Sequence, residues 1–324
     1  MKRDRLIKSK DGTHGYGKDP WTRTVQELLE QGVVNLDKPP GPTSHEVVAW
    51  VKNILEIKRA GHSGTLDPHV TGVLPTMLGD ATRLVQTLLL SGKEYACVMR
   101  LHSNIPEKRL HETFEEFTGV IYQRPPLVSA VKRQTRKRTI YYINFIEQDG
   151  RDVLFIVGCE AGTYIRKLCH DIGEALGCGA HMYELRRTRS GPFGEDDSLI
   201  TLHTLKDAYT IYKETGDEKP LRRCIYPMEF ALRHLPKIIV KDSAVDALAH
   251  GAPLHVQGIS ELETGIHKDD MVAAFTHIGE VVSIGRSRMT TDELMKATEG
   301  QATDTVAVVM KPGVYPSEWK KKVK

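Results

Sequence analysis

One carboxylate of the chain stands in an unusual local setting. Asp67 belongs to the segment GHSGTLDP at residues 61–68, in which two glycines precede it and Pro68 follows it. Glycine permits sharp turns and close approach of a ligand, and proline keeps the residue before it out of the right-handed helical region. The pattern is typical of a rigid loop that presents a single acid. An Asp-Pro step in an ordinary turn has the same spacing, so both interpretations stay open at this point.

A cation that could hold such an acid in its charged form is Arg166, in the segment GTYIR at residues 162–166. A guanidinium is always protonated, and an opposite charge nearby keeps a carboxylate ionised. The alternative is an ordinary surface arginine at the start of a helix. Asp67 and Arg166 are therefore candidates for acid–base or nucleophilic chemistry.

Several widespread catalytic motifs are absent from the sequence. The chain has no G-x-x-x-x-G-K-[ST] phosphate loop and no G-x-G-x-x-G dinucleotide fingerprint. It also lacks the H-E-x-x-H zinc motif and the G-x-S-x-G nucleophile elbow. The sequence therefore gives no support to a nucleotide-driven, zinc-hydrolytic or serine-hydrolytic mechanism.

The elements that would position these residues mix strands and helices without a strict alternation. Thr43 and Glu46 form a capping box, which predicts a helix whose apolar residues continue to Leu55. The other predicted elements are strands at 33–36, 95–101 and 153–159 and helices at 110–117 and 165–176, the second closed by Gly177. This mixture favours an α+β fold over a doubly wound sheet.

Patterning divides the chain into four parts. The first 30 residues are polar and poorly periodic, which indicates an extension. The next part, 31–235, is the large α+β domain, and it ends in a helical and loop connection from residue 202. A small β-rich domain follows at 236–316, with a helix at 243–250 and strands at 271–277, 280–284 and 305–310. Residues 317–324 form a basic tail.

Basic residues are clustered although the net charge is only +3. The densest run consists of Lys132, Arg133, Arg136, Lys137 and Arg138. A second cluster consists of Arg186, Arg187 and Arg189, and both chain ends are basic as well. Such patches suit the phosphate backbone of a nucleic acid. A solvated face or a tail would show the same composition.

The sequence carries no signal for export or membrane insertion. No run of 18 apolar residues occurs, and the basic N-terminus is not followed by an apolar segment. The five cysteines are odd in number and form no C-x-x-C pair, which argues against a disulfide framework. We therefore expect reduced thiols in a cytoplasmic protein.

Ordered segments of the chain resemble the motifs of the TruB and dyskerin pseudouridine synthases. The segments are 35–44 (NLDKPPGPTS), 61–68 (GHSGTLDP) with 72–74 (GVL), 93–95 (KEY), 162–166 (GTYIR), 177–181 (GCGAH) and 185–187 (LRR). They occur in the family's order over about residues 33–193. The resemblance implies the catalytic domain of that family, with a mixed antiparallel sheet, at 31–235.

The resemblance implies roles for four residues of the site. Asp67 would be the essential catalytic carboxylate, and Arg166 would form a salt bridge with it. Tyr95 would stack on the target base and assist proton transfer. His62 would help the target nucleotide leave the stack of bases, although a lone histidine is more often structural.

The same resemblance places further residues around this site. Tyr164 and Leu185 would line the pocket. Lys38 and Pro39 would support the catalytic loop. No cofactor and no metal are implied, because pseudouridine formation breaks the C1′–N1 bond and joins C1′ to C5 of the same base. The sequence leaves open whether the carboxylate attacks covalently or abstracts the C2′ proton.

Two details resemble the guide-RNA-dependent branch, the archaeal dyskerin homologues. Bacterial tRNA enzymes carry a long insertion after the segment QRPPLVSAVK at 123–132, but only about 20 residues separate Lys132 from the strand at Val153. The segments AHGAPL at 249–254 and GRS at 285–287 resemble a PUA RNA-binding domain. In that branch the N-terminal extension packs on the PUA domain.

Partners follow from the resemblance alone. They are an H/ACA guide RNA, a substrate RNA, a small Nop-family protein, a Gar-family protein and a kink-turn-binding protein, with no membrane involved. The main alternative is a stand-alone tRNA pseudouridine synthase. A non-catalytic RNA scaffold built on the PUA domain is an alternative of a different class.

Overall fold

The structure is a computed structural model that describes residues 3–9, 15–124 and 134–317. These residues form eighteen strands. In chain order the strands are β1 (Arg5–Ile7), β2 (Gly32–Lys38), β3 (Ala60–His62), β4 (Thr71–Leu78), β5 (Lys93–Leu101), β6 (Gly119–Gln123), β7 (Arg136–Asp149), β8 (Asp152–Cys159), β9 (Ala180–Ser190), β10 (Phe193–Gly194), β11 (Leu199–Ile200), β12 (Tyr226–Pro227), β13 (Lys237–Val240), β14 (Leu254–His255), β15 (Ile259–Glu263), β16 (Met271–Phe275), β17 (Val281–Ser287) and β18 (Gln301–Val308).

Nine α-helices lie between these strands in the described part of the chain. They are α1 (Val25–Gln31), α2 (Ser44–Leu55), α3 (Val85–Leu89), α4 (Glu107–Phe117), α5 (Ile165–Leu176), α6 (Leu202–Thr215), α7 (Lys219–Cys224), α8 (Asp242–Ala249) and α9 (Thr291–Lys296). Short 3-10 helices lie at Pro20–Thr22, Gly79–Leu84, Met228–Leu232 and Val256–Gly258.

Contacts divide the described residues into two compact units. The central unit contains Val34–Thr76 and Val85–Cys224, and the terminal unit contains the described residues of Met1–Val33, Met77–Leu84 and Ile225–Lys324. Each unit has its own buried apolar cluster. The structure thus has two separate hydrophobic cores, as a chain of this length allows.

The central unit is built on a mixed sheet in the order β11-β2-β4-β9-β5-β8-β7-β6. The pairs β2–β11 and β4–β9 are parallel, whereas β5 pairs antiparallel with both β9 and β8. The core of this unit contains inward-facing residues of β5 and β8 and the apolar face of α5. The predicted α+β fold with a mixed sheet is confirmed.

The terminal unit is built on a seven-stranded sheet in the order β1-β15-β13-β16-β17-β18-β14. Its core includes Val245 and Leu248 from α8 and Val272 and Val282 from the sheet. The short strand β1 pairs antiparallel with the edge of β15. The predicted β-rich character of the C-terminal region is confirmed.

Local signals located the principal helices correctly. Thr43 caps α2, and its side chain and that of Glu46 make both hydrogen bonds of the capping box. Gly177 closes α5 with a φ of 74°, a conformation that favours glycine. These ends are determined by neighbouring residues, which is why the sequence predicted them.

Several elements were not predicted. Residues 25–31 form α1, which Thr24 and Glu27 begin with a capping box of their own. The strand β4 lies in a segment that was assigned to no element, and the carbonyl of its Pro75 accepts a hydrogen bond from the Ser63 amide. The strands β6, β7 and β9 of the central sheet were missed as well.

Two further expectations concern cysteines and membranes. The five cysteines are free thiols, and all but Cys178 are buried. Among the described residues, the structure contains no helix with the length and apolar character needed to cross a lipid bilayer.

Candidate active site

Asp67 lies in the loop between β3 and β4, with its side chain turned outward. The flanking apolar residues Leu66 and Val70 are only 4% exposed, whereas the Asp67 side chain is 55% exposed. The amide of Val70 donates to the Asp67 carbonyl at 3.0 Å. The loop is therefore anchored on both sides of an acid that a ligand can reach.

Lys38 supports this loop from the protein interior through hydrogen bonds to backbone carbonyls. Its ammonium is fully buried and donates to the carbonyls of Pro39, Pro68 and Val70 at 2.9, 2.8 and 2.9 Å. Burial lowers the pKa of Lys38, the charge of Arg187 lowers it further, and the charge of Asp67 opposes both. The contacts of Lys38 are those expected of a support for the catalytic loop, and Pro39 supplies one of the carbonyls.

Ser44 provides a second support that the sequence analysis did not single out. Its buried hydroxyl accepts from the Leu66 amide at 2.9 Å and donates to the Leu66 carbonyl at 3.2 Å. Ser44 belongs to the motif at 35–44, but only the folded chain brings it next to residue 66. Both backbone polar groups before Asp67 are thereby satisfied inside the protein.

Arg166 forms an ion pair with Asp67, and its guanidinium donates to the carboxylate. The arginine is the second residue of α5, so the helix start fixes where its side chain leaves the backbone. Both side chains are more than half exposed. Exposed ion pairs contribute little to stability, so this pair is better understood through the carboxylate that it holds in place.

Tyr95 lies on β5 directly across from Arg187 on β9. It is half-buried, and burial raises the pKa of its phenol. The charge of the Arg187 guanidinium lowers that pKa, and the charge of Asp67 raises it. The Tyr95 hydroxyl therefore lies within the electrostatic reach of both Arg187 and Asp67.

His62 lies half-buried against His45, with the two rings perpendicular and their centroids 5.0 Å apart. Burial lowers its pKa to about 4, and the charges of His45 and Arg187 act in the same direction. His62 is therefore neutral at pH 7. Its buried Nδ1 has no hydrogen-bond partner among the described residues.

Tyr164 is the residue that precedes α5, and it is half-buried. The side chain of Gln123 binds both its amide and its carbonyl, at 2.9 and 3.1 Å. This buried glutamine thereby fixes the backbone just before Arg166, a role that the sequence analysis missed. Leu185 lies half-buried on β9 and packs on the core of the central unit.

The cluster of Arg186, Arg187 and Arg189 does not form a basic surface. Arg187 is 1% exposed, because its position on β9 turns it into the protein. Arg186 binds Asp37 through both terminal nitrogens and also pairs with Glu195, and Arg189 pairs with Glu94. The interpretation as a phosphate-binding patch is therefore wrong for Arg187, and Arg186 and Arg189 already bind carboxylates.

The longer basic run lies only partly within the described residues. Lys132 and Arg133 fall outside them. Arg136, Lys137 and Arg138 begin β7, and Lys137 is exposed. The Arg138 side chain is only 18% exposed and lies near Glu160, so Arg136 and Lys137 are the members best placed to meet a phosphate.

The arrangement is suited to chemistry on a planar ligand. Asp67 is accessible and forms an ion pair with Arg166, and Tyr95 offers a half-exposed ring within reach of the Asp67 charge. An accessible carboxylate can act as a nucleophile or as a base. An aromatic face next to it can stack on a nucleobase.

Four family models match the sequence in succession. The TruB family pseudouridylate synthase (N terminal domain) covers residues 52–165, and the tRNA pseudouridylate synthase B C-terminal domain covers residues 166–233. A PUA domain matches residues 236–309. The DKCLD (NUC011) domain matches residues 2–48.

Curated relatives match over nearly the whole chain. A protein named "Probable tRNA pseudouridine synthase B" from Methanosarcina barkeri is 56% identical over 322 residues, which are 98% of this chain and 95% of the relative. A protein of the same name from Pyrococcus horikoshii is 56% identical over 321 residues, which are 98% of this chain and 96% of the relative.

Solved structures match the fold just as fully. One is described as a crystal structure of a Cbf5-Nop10-Gar1 complex, with a TM-score of 0.92, 54% identity and coverage of 98% of this chain and 97% of that chain. Another is an H/ACA RNP bound to a substrate RNA containing 2′-deoxyuridine, with a TM-score of 0.90, 52% identity and coverage of 98% of both chains. Identity at this level over nearly the full length shows that the chain belongs to the TruB family of pseudouridylate synthases.

Proposed function

We propose that this protein isomerises uridine to pseudouridine in RNA as the catalytic subunit of an H/ACA ribonucleoprotein. Its substrate class would be ribosomal RNA, with transfer RNA as a second class. The observation that carries the proposal is the accessible Asp67–Arg166 ion pair beside Tyr95, in a chain that matches the solved H/ACA protein over 98% of its length.

The proposed chemistry uses this chain's own side chains. The target uridine leaves its stack so that its sugar and base reach Asp67, which costs a few kcal/mol. Stacking on Tyr95 recovers part of that cost, about 1–3 kcal/mol for one base. Arg166 holds the carboxylate in place through their ion pair, and His62, Tyr164 and Leu185 complete the surroundings of the base.

Guidance by a separate RNA is supported by the region between β6 and β7. Only residues 124–135 lie between the two strands, so the chain lacks the long insertion by which the unguided tRNA enzymes grip their substrate. A uridine must then be positioned by other means. A guide RNA held by the PUA domain at 236–316 would provide them.

The domain assignment and partners belong to the same proposal. Residues 1–30 pack on the PUA domain, 31–235 form the catalytic domain and 317–324 form a basic tail. The partners are a guide RNA, a small Nop-family protein, a Gar-family protein and a kink-turn-binding protein. Solved structures similar to this chain are a Cbf5-Nop10-Gar1 complex and a Nop10-Cbf5 complex, which supports the first two protein partners. A cytoplasmic location follows from such RNA substrates.

The catalytic role of Asp67 can be tested by Asp67→Asn. We expect a loss of pseudouridine formation of about 10⁴-fold or more with RNA binding retained, because an amide is neither a nucleophile nor a base. Asp152→Asn is the matched control, since Asp152 is also a partly exposed aspartate paired with an arginine, Arg100. Activity in Asp67→Asn that equals the control would refute the proposal.

Guide dependence is tested with a short RNA that contains one target uridine. We expect a matching H/ACA guide and the partner proteins to raise the rate by about 100-fold or more, because positioning removes much of the entropic barrier. The names of the curated relatives favour the second candidate, a stand-alone tRNA enzyme. Full activity of the isolated chain on tRNA would support that candidate, and binding without any pseudouridine would indicate a scaffold.

A further inference from the structure

Arg187 is a buried arginine to which the family resemblance gives no individual role. Its side chain is 1% exposed. Its Nε donates to the Val73 carbonyl at 2.7 Å and its Nη2 donates to the Gly64 carbonyl at 3.1 Å. Gly64 precedes Asp67 and Val73 follows it, so one guanidinium holds both ends of the segment that carries the acid.

The backbone of Arg187 lies between β4, which follows the Asp67 loop, and β5, which carries Tyr95. In the sheet register it pairs with Gly72 of β4 on one side and with Tyr95 of β5 on the other. Gly72 has a φ of 102°, and a Cβ there would lie 2.2 Å from the Arg187 carbonyl oxygen. This close approach holds the Arg187 backbone in place, and so also the start of its side chain.

No carboxylate of the described residues lies within 4.0 Å of the Arg187 guanidinium. Its hydrogen-bond partners are instead the backbone carbonyls of Val73 and Gly64, and Tyr95 lies opposite it on the neighbouring strand. Burying a charge without an opposite charge costs several kcal/mol unless polar groups compensate it. A charge kept at such a cost beside an active site is a candidate for a functional role.

Tyr95 is the cross-strand neighbour of Arg187. The two residues are directly opposite each other in the antiparallel pair of β5 and β9. Side chains at such positions lie on the same face of a sheet, close enough to interact. Arg187 therefore links the strand that carries Tyr95 to the segment that carries Asp67.

We propose that Arg187 is a positioning residue that acts through Tyr95. It lies beside Tyr95 across the sheet, and it holds the Gly64 and Val73 carbonyls so that Asp67 and the Tyr95 side chain keep a constant position relative to each other. The proposal rests on the proposed function of the site. It distinguishes Arg187 from a purely structural arginine, which would brace the loop without affecting Tyr95.

A double-mutant cycle tests the coupling. Arg187→Lys keeps the positive charge but loses the planar guanidinium, whose separate N–H groups donate to two carbonyls at once. We expect kcat to fall by about 10- to 100-fold with KM for RNA nearly unchanged. In a Tyr95→Phe background the same substitution should lower kcat by less than about threefold, because the effects of substitutions at coupled residues are not additive. Arg100→Lys, on the strand that carries Tyr95, is the matched control and should leave kcat within about twofold of the parent.

The ionisation of Tyr95 is the readout that a purely structural role would not move. Arg187 opposes the rise in the pKa of Tyr95 that burial causes. Removing the guanidinium in Arg187→Met should therefore raise this pKa, measured by absorbance and identified by subtraction of the Tyr95→Phe titration. Thermal melting and guide-RNA binding report whether each variant is folded. If Arg187→Met does not fold, Arg187→Lys is used for the same titration, with a rise again expected.

The results separate this proposal from the proposed function. Equal loss of kcat from Arg187→Lys in both backgrounds, together with an unchanged Tyr95 titration, would leave Arg187 as a structural brace and overturn the inference. If Tyr95→Phe is too slow for the cycle, the titration alone decides. Retained activity in Asp67→Asn would instead reject the proposed function itself, whatever the cycle shows.

Discussion

At the scale of single residues, the site is dominated by buried cations. Lys38, Lys93 and Arg187 are each less than 9% exposed. Each ammonium is held by three backbone carbonyls, and the charge of Arg187 lowers the pKa of both lysines. Lys38 and Arg187 both hold the segment that carries Asp67, through the carbonyls of Pro68 and Val70 and of Gly64 and Val73.

His62 allows a prediction about pH at this scale. We expect its imidazole to titrate near pH 4 by NMR, because burial lowers its pKa to about 4 from 6.5. The unfolded chain then binds a proton between pH 6.5 and 4 that the folded chain does not. The contribution of His62 to stability therefore decreases as the pH falls through this range.

The assignment of that resonance has its own control. His62→Gln should remove one imidazole signal, and the remaining histidines serve as internal references. A titration midpoint near 6.5 for the missing signal would contradict the buried, uncharged state of His62.

At the scale of elements, β9 connects the parts of the site. Its residue Arg187 pairs with Gly72 of β4, which continues from the Asp67 loop, and with Tyr95 of β5. The helix α5 carries Arg166, which forms the ion pair with Asp67 in this loop. The geometry of the site thus depends on how closely β4 and β9 approach.

Gly72→Ala tests that approach. Its Cβ would lie 2.2 Å from the Arg187 carbonyl oxygen, and its φ of 102° already disfavours a side chain. We expect a loss of more than about 3 kcal/mol in the free energy of unfolding, as for other severe steric conflicts. Thermal and urea unfolding would measure it.

Gly150→Ala is the matched control for this prediction. Gly150 also has a positive φ, of 57°, but no atom lies within 4 Å of its would-be Cβ. Only the backbone strain of about 1–2 kcal/mol should remain there. Equal destabilisation in the two variants would show that the β4–β9 approach is not the determining factor.

At the scale of the whole molecule, the charge distribution matters more than the net charge of +3. Much of the arginine that the sequence groups together is buried or paired inside the central unit, as for Arg186 and Arg187. The start of β7 retains Arg136 and the exposed Lys137. A contribution to RNA affinity is therefore expected from these two residues.

Replacing both Arg136 and Lys137 by alanine should weaken RNA binding. We expect the steepness of the plot of log binding constant against log salt concentration to decrease by about 1–2. Each phosphate contact that is lost lowers the number of counterions released on binding. Filter binding at several salt concentrations would measure it. Lys108→Ala, at an exposed position on α4, is the control, and an unchanged slope in the double variant would assign the start of β7 to a surface that does not touch RNA.

Much of this protein was predictable from local signals. The capping box of Thr43 and Glu46 and the glycine cap at Gly177 involve residues close in sequence, so α2 and the end of α5 were found. The strand β4 was missed because its pairing, with Gly72 beside Arg187, joins residues that are far apart in the sequence. Arg187 looked like a surface cation because sequence spacing does not show which side of a strand is buried.

By itself, the sequence determined the order of the family motifs, the α+β class and the identity of the candidate acid Asp67. The family resemblance also implied the salt bridge to Arg166, 99 residues away, which the structure contains. Only the tertiary structure decided that Ser44 and Arg187 hold the Asp67 loop. Contacts between distant residues depend on strand register and burial. These are properties of the whole fold, so no local pattern could have specified them.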